Sequence, residues 1–137
     1  MAHRNVIIVS GCLLSLFALV GCGRQNVSAD PKYQAGFVPG ATYRLLVDAQ
    51  YFTDSGGFII TEGTYNGGHG ALVPKGVRIQ MDRIEREWNL DTHYLVYYMG
   101  HFVDGPFAGS KIELNGITMY TTTYEKHWDP EVLEPVP

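Results

Sequence analysis

The side chains through which this sequence could carry out covalent, metal or acid–base chemistry are Cys22, the histidines His69, His93, His101 and His127, and the serines Ser55 and Ser110. The histidines form none of the HxH, HxxxH or HExxH spacings that bring two imidazoles onto one metal. His93 and His101 are separated by an even number of residues, so on one uninterrupted strand they share a face but stand about 27 Å apart, too far to share an ion. Histidines isolated in this way serve as surface or hydrogen-bonded structural residues. Ser55 and Ser110 sit in turn-like stretches without a nucleophile-elbow pattern. The carboxylates of Asp82, Glu85 and Glu87 are interleaved with Arg83 and Arg86, which reads as exposed ion pairs of small individual worth. Gly67-Gly68-His69-Gly70 lacks both the Gly-Lys-Ser/Thr ending of a phosphate loop and the dinucleotide spacing, so its glycines supply a turn that needs positive φ. No catalytic set, metal site or cofactor follows, and the expectation is a protein that is not an enzyme.

Cys22 is different, because its neighbours give it a context. His3 and Arg4 form a short positive region, Val6 to Val20 is largely apolar, and Leu19-Val20-Gly21 leads directly into the cysteine. This is the layout of a secretory signal, and the apolar run is shorter than the roughly 20 residues a spanning helix needs. Leu19-Val20-Gly21-Cys22 resembles the lipobox of bacterial lipoproteins. The resemblance implies a signal peptide over residues 1–21, a thioether-linked diacylglycerol on Cys22, and cleavage of the preceding peptide bond with acylation of the new amino group. Two or three acyl chains anchor a protein stably where one holds only marginally. Membrane attachment through Cys22 and location in the cell envelope follow. The class retains members in the inner membrane through an aspartate after the cysteine; Gly23 stands there, which implies the outer membrane. Cys12 leaves with the signal, so no disulfide can staple the domain and its own core must hold it.

From Cys22 onward nine Lys and Arg face fourteen Asp and Glu. A net acidic domain whose one basic cluster (Lys75, Arg78, Arg83, Arg86) is mixed with acids has no nucleic-acid surface. High glycine and aromatic content favours short strands and tight turns.

Residues 22–38 read as a polar, flexible tether, of which the stretch 23–36 can extend no more than about 50 Å. Residues 39–122 read as one small β domain and residues 123–137 as a tail interrupted by Pro130, Pro135 and Pro137. Within the domain, Thr42–Asp48 alternates as a strand that Tyr51 and Phe52 extend, Phe58–Thr61 is a second strand, and Gly63–Gly76 is a long irregular connection. Residues 77–88 fit two patterns. Val77, Ile79 and Met81 alternate as in a strand, while Val77, Met81, Ile84 and Trp88 also keep helical spacing. A long hairpin with residues 92–102 is favoured, and it requires a β-bulge near Asp82 and Arg83 where the phase switches. Asn115-Gly116 predicts a type I′ hairpin turn between Leu114 and Ile117. The sum is an all-β fold of five or six strands, a small barrel or sandwich, and its order of strands and turns resembles small SH3-like barrels.

Trp88, Tyr94, Tyr97, Tyr98 and Tyr120 exceed what so small a core requires. They mark a candidate binding groove between the long loop and the central hairpin, suited to sugar rings or proline-rich peptides. The expected function is a non-catalytic envelope module that binds cell-wall glycan (peptidoglycan) or an envelope protein. The alternatives are a structural or accessory subunit of an envelope complex and, less favoured, a metal-dependent or hydrolytic enzyme, which would require the histidines to converge despite their spacing.

Overall fold

The computed structural model describes residues 23–90 and 93–137. The stretch expected to be a signal peptide, residues 1–21, and Cys22 lie outside the described residues. The fold is all-β. One curled sheet carries eight strands in the order β11-β2-β6-β7-β8-β4-β3-β5, and β1 adds to β6 beside this path. The strands are β1 (Gln25–Asn26), β2 (Thr42–Leu45), β3 (Ala49–Phe52), β4 (Phe58–Ile60), β5 (Ala71–Val73), β6 (Arg78–Asn89), β7 (His93–Phe102), β8 (Lys111–Glu113) and β11 (Leu133–Val136). A separate ribbon pairs β9 (Thr118–Tyr120) with β10 (Lys126–Trp128). The strand count therefore exceeds the five or six expected.

The long hairpin β6–β7 is the spine. Residues 78–89 are a strand, not a helix, and their register against β7 slips between Met81 and Arg83. That slip inserts Asp82 as the extra residue of a bulge. It resolves the conflict of periods in the sequence: Ile79 and Met81 point inward before the bulge, Ile84 after it, and all three are fully buried. On β7 the inward face runs through Tyr98, Gly100 and Phe102. Gly100 lies opposite Met81, where the bulge pushes the Gln80 carbonyl against the partner strand; a Cβ at residue 100 would be driven into that oxygen.

Both flanks expected to be loose are folded. In the stretch read as a tether, Gln25 and Asn26 pair with Arg86 and Glu85, and Pro31–Tyr33 forms a 3-10 turn capped by the Asp30 carboxylate, which accepts from the Lys32 amide. Tyr33 and Phe37 are buried, Phe37 with its ring edge-on to Tyr43 at 5.5 Å and tilted against Tyr98 at 5.3 Å. In the stretch read as a tail, β11 pairs with β2 and buries Leu133 against Leu45. Pro135 is tolerated because β11 ends the strand order, where a strand can do without one ladder donor. The long connection also contains β5, and the first two predicted strands are three (β2, β3, β4), because the chain bends after Leu45.

Asn115-Gly116 does not make a hairpin turn. Asn115–Ile117 is a 3-10 turn, and β8 and β9 do not pair with each other. The asparagine amide is used elsewhere: its Oδ1 accepts from the Tyr98 N–H (2.9 Å) and its Nδ2 donates to the Val96 carbonyl (2.6 Å), closing the open edge of β7. Gly116 is required for close approach to the Ile59 carbonyl, not for positive φ.

Gly100→Ala tests the bulge. Overpacking against a fixed carbonyl costs about 1–3 kcal/mol. The urea midpoint is expected to fall by that equivalent with an unchanged slope; an unchanged midpoint would show that the two strands are not pressed together there.

Candidate functional site

The concave surface with the most convergent side chains lies where the amino-terminal 3-10 turn and the β9–β10 ribbon stand on either side of β7. Two depressions of about 490 and 370 Å³ share Lys32, Tyr98 and Lys126, so they form one groove. The inward face of β7 supplies its floor with Val96 and Tyr98, and Asn115 pins that stretch of strand. Tyr33 and Tyr94 line one side and Tyr120 the other. Gly36 and His127 border the larger half. The His127 ring seats directly against Gly36, where any side chain would collide with it. Its Nδ1 lies 2.6 Å from the Trp128 carbonyl, and the Trp128 indole N–H donates to the Gly36 carbonyl at 3.0 Å. These contacts, with the Trp128 amide donating to Ala35, fasten the ribbon to the amino-terminal segment.

Two cations face this groove. Lys32 is exposed at the turn, with its ammonium 5.4 Å from the Tyr33 ring centre. Lys126 is half-buried, with its ammonium 5.2 Å from the ring centre of Tyr98. Burial holds the Lys126 pKa below the ordinary lysine value, with the Glu113 charge acting weakly the other way. Among the described residues neither lysine is in a salt bridge with a carboxylate. Burial pushes the Tyr98 phenol up to about 12, so it stays a neutral hydroxyl.

The five aromatic residues singled out from sequence divide three ways. Tyr94, Tyr98 and Tyr120 line the groove, but Tyr98 is only 2% exposed and serves as core and floor, not as a free contact. Trp88 pairs across the hairpin with Tyr94 and lines a separate depression of about 200 Å³ with Gly23, Gln25 and Arg86. Tyr97 faces the opposite side of the sheet. The Arg24 guanidinium lies 3.8 Å from its ring centre, and its hydroxyl donates to Glu87 at 3.1 Å. The groove itself is displaced from the expected place, because the long loop belongs to β3 and β5 at the far end of the strand order. Lys32, Tyr33 and Lys126 were missed because they sit in the stretches read as tether and tail; the pairing of an aromatic with a lysine in Lys32-Tyr33 was the only local signal.

Several other charged groups are occupied structurally. Asp82, the bulge residue, meets the His101 Nδ1 at 2.9 Å. Glu85 pairs with Arg83 at 2.7 Å and with Arg24 at 3.5 Å, and the hydrogen bond from Arg83 lowers its pKa. Asp104 accepts from the Arg78 amide and side chain, which lowers its pKa too. Among the described residues no three His, Cys, Asp or Glu side chains are grouped to hold a metal ion, and no helix is long and apolar enough to cross a membrane. Comparison with protein-family models, with curated proteins and with solved structures gave no match.

The lowered Lys126 pKa has a definite sign in stability. Between that pKa and the ordinary lysine value the folded chain holds fewer protons than the unfolded one, so the contribution of Lys126 to stability improves as pH rises through this window. Lys126→Met is therefore expected to unfold at a higher midpoint than the wild type near pH 7, with the gap closing as pH approaches about 10. The raised Tyr98 pKa works in the opposite direction at higher pH but is common to both proteins. A gap that does not change with pH would mean that the ammonium is fully solvated.

Proposed function

We propose that this protein is an envelope lipoprotein, anchored through a lipid on Cys22, whose β domain is a non-catalytic binding module for carboxylate-bearing cell-wall glycan. The observation that carries this reading is the half-buried Lys126 among tyrosine rings in an open groove. Partial burial of an ammonium costs free energy that a carboxylate from a ligand offsets. The exposed rings of Tyr94 and Tyr120 suit sugar rings, which stack on aromatics with little loss of conformational freedom. Lys32 provides a second cation on the same path. Against Glu125 at its border, Lys32 and Lys126 leave the groove locally cationic in a domain that is acidic as a whole, which favours an anionic ligand there.

The envelope location and the preference for the outer membrane rest on the lipobox resemblance and on Gly23 after the cysteine. The SH3-like comparison belongs to the same reading: a long bulged strand leading through a hairpin into short strands and a 3-10 turn supports it. The second reading, an accessory subunit that docks an envelope protein, is favoured by one feature. Edge strand β5 pairs only with β3 and exposes Leu72 at 62%. Such an edge can accept a further strand.

Co-sedimentation with purified sacculi distinguishes the two. The wild-type protein is expected to pellet, with apparent affinity falling at least about tenfold in both Tyr120→Ala and Lys126→Met, the equivalent of about 1.4 kcal/mol. Tyr120 is exposed, so its loss leaves the core intact. Protein that stays in the supernatant, or pellets equally in both variants, would remove the glycan reading and leave the β5 edge as the surface to pursue.

A further inference from the structure

The β6–β7 hairpin runs past the rest of the sheet, and its end is apolar and uncovered. Trp88 is 52% exposed, Leu90 80%, Tyr94 44% and Leu95 37%. No other strand pairs with β7 over residues 93–98 except β6 itself. What singles out an occupant for this surface is the position of the described chain's first residue. Gly23, bonded to Cys22, lines the same small depression as Trp88 and Tyr94. The link is not slack. Arg24 stacks on Tyr97 and contacts Glu85 and Glu87, while Gln25 pairs with Arg86 in the backbone and accepts from its guanidinium at 3.0 and 3.1 Å.

We infer that the end of the β6–β7 hairpin rests in the interfacial layer of the membrane that holds the Cys22 lipid. The inference depends on the lipid-anchor reading above. If acyl chains leave the protein at Cys22, a bilayer surface lies within one residue of the tip, and the segment from Arg24 to Asn26 cannot swing the domain away without breaking strand pairing and the Arg86 contacts. Tryptophan and tyrosine are the side chains that favour the headgroup region, where the ring is dehydrated and the polar edge stays wet. Leu90 adds an aliphatic contact at the turn. Arg24 and Arg86 keep long stems that let their charges reach toward water. Glu87 bounds the depth, so the contact is shallow. A surface this small binds weakly by itself, and it becomes effective because the lipid holds it at high local concentration. The result is one fixed orientation of the domain on the membrane instead of a freely tumbling one.

The experiment uses the mature full-length lipoprotein, extracted in detergent and reconstituted into phosphatidylcholine vesicles. Trp128→Phe leaves Trp88 as the single tryptophan. Trp88 emission is expected to be quenched by lipids brominated near the glycerol end of the acyl chain, less by lipids brominated near the methyl end, and at least twofold less overall in Leu90→Asp. Should Trp128→Phe unfold the domain, a polarity-sensitive dye on Leu90→Cys reports the same contact, since the mature chain has no other free thiol; a blue shift on reconstitution is expected. Lipidated protein that floats with the vesicles but shows neither quenching nor a shift would overturn the tip contact alone. An intact mass without lipid on Cys22 would overturn both the anchor and the contact.

Discussion

Arg86 donates through Nε and Nη2 to the Gln25 side chain, through Nη1 to the Tyr33 hydroxyl at 2.7 Å, and lies 4.7 Å from the ring centre of Tyr94. One guanidinium thus joins β1, the 3-10 turn and both strands of the hairpin. Two of these bonds converge on one exposed Gln25 oxygen, so the guanidinium fixes where the segment docks, while burial of Tyr33 and Phe37 offsets the entropy of ordering it. The backbone reinforces the contact: the Val27 amide donates to the Ile84 carbonyl, and Ile84 donates to the Ser28 hydroxyl. Once this segment is fixed, Phe37 is delivered onto Tyr43 and Tyr98 and closes the core. The wall of the groove and the position of the amino-terminal end follow from the same docking.

The bulge at Asp82 is the second determinant. It turns the inward face of β6 so that Ile79, Met81 and Ile84 all reach the core, and it bends the hairpin enough for its distal half to leave the sheet. That distal half presents one face to the groove and the tip, through Arg86, Trp88, Tyr94 and Val96. Its other face, with Glu85, Glu87 and Tyr97, is closed by Arg24. The groove therefore depends on two segments remote in sequence, residues 31–36 and 118–128, being brought against β7 by backbone and side-chain contacts that no local pattern encodes.

The long hairpin and its bulge were legible because alternation of apolar residues reports on strand faces, and within a strand a change of phase between Met81 and Ile84 calls for a bulge, although the same residues also keep helical spacing. The docked flanks were not legible. Their stabilisation is tertiary: Tyr33 with Arg86, Ser28 with Ile84, and Leu133 with Leu45 are contacts between residues more than fifty positions apart. Short polar strands such as β1 carry no periodicity to announce them. Asn115-Gly116 was misread for a related reason, since the turn chemistry of Asn is the same chemistry that lets its amide bind the edge of β7. Of the candidate site, the aromatic residues of β7 were found from composition and alternation, but bulky residues on both phases hid which face was buried, and so Tyr98 was taken for a surface contact. The lysines that define the electrostatics of the groove lay in segments set aside as tether and tail.

The groove and the position of the amino-terminal end both require residues 24–37 to be part of the folded domain. Amide hydrogen exchange resolved by residue tests this directly. The Val27 and Phe37 amides, which donate to Ile84 and Gln34 at 2.8 Å, are expected to be protected to an extent approaching that of the β6–β7 core, with Arg86→Ala reducing protection at Val27 while leaving Met81 unchanged. Exchange across residues 24–37 at the rate of an unstructured peptide would contradict the docking, and with it the shape of the groove and the fixed position of the amino-terminal end.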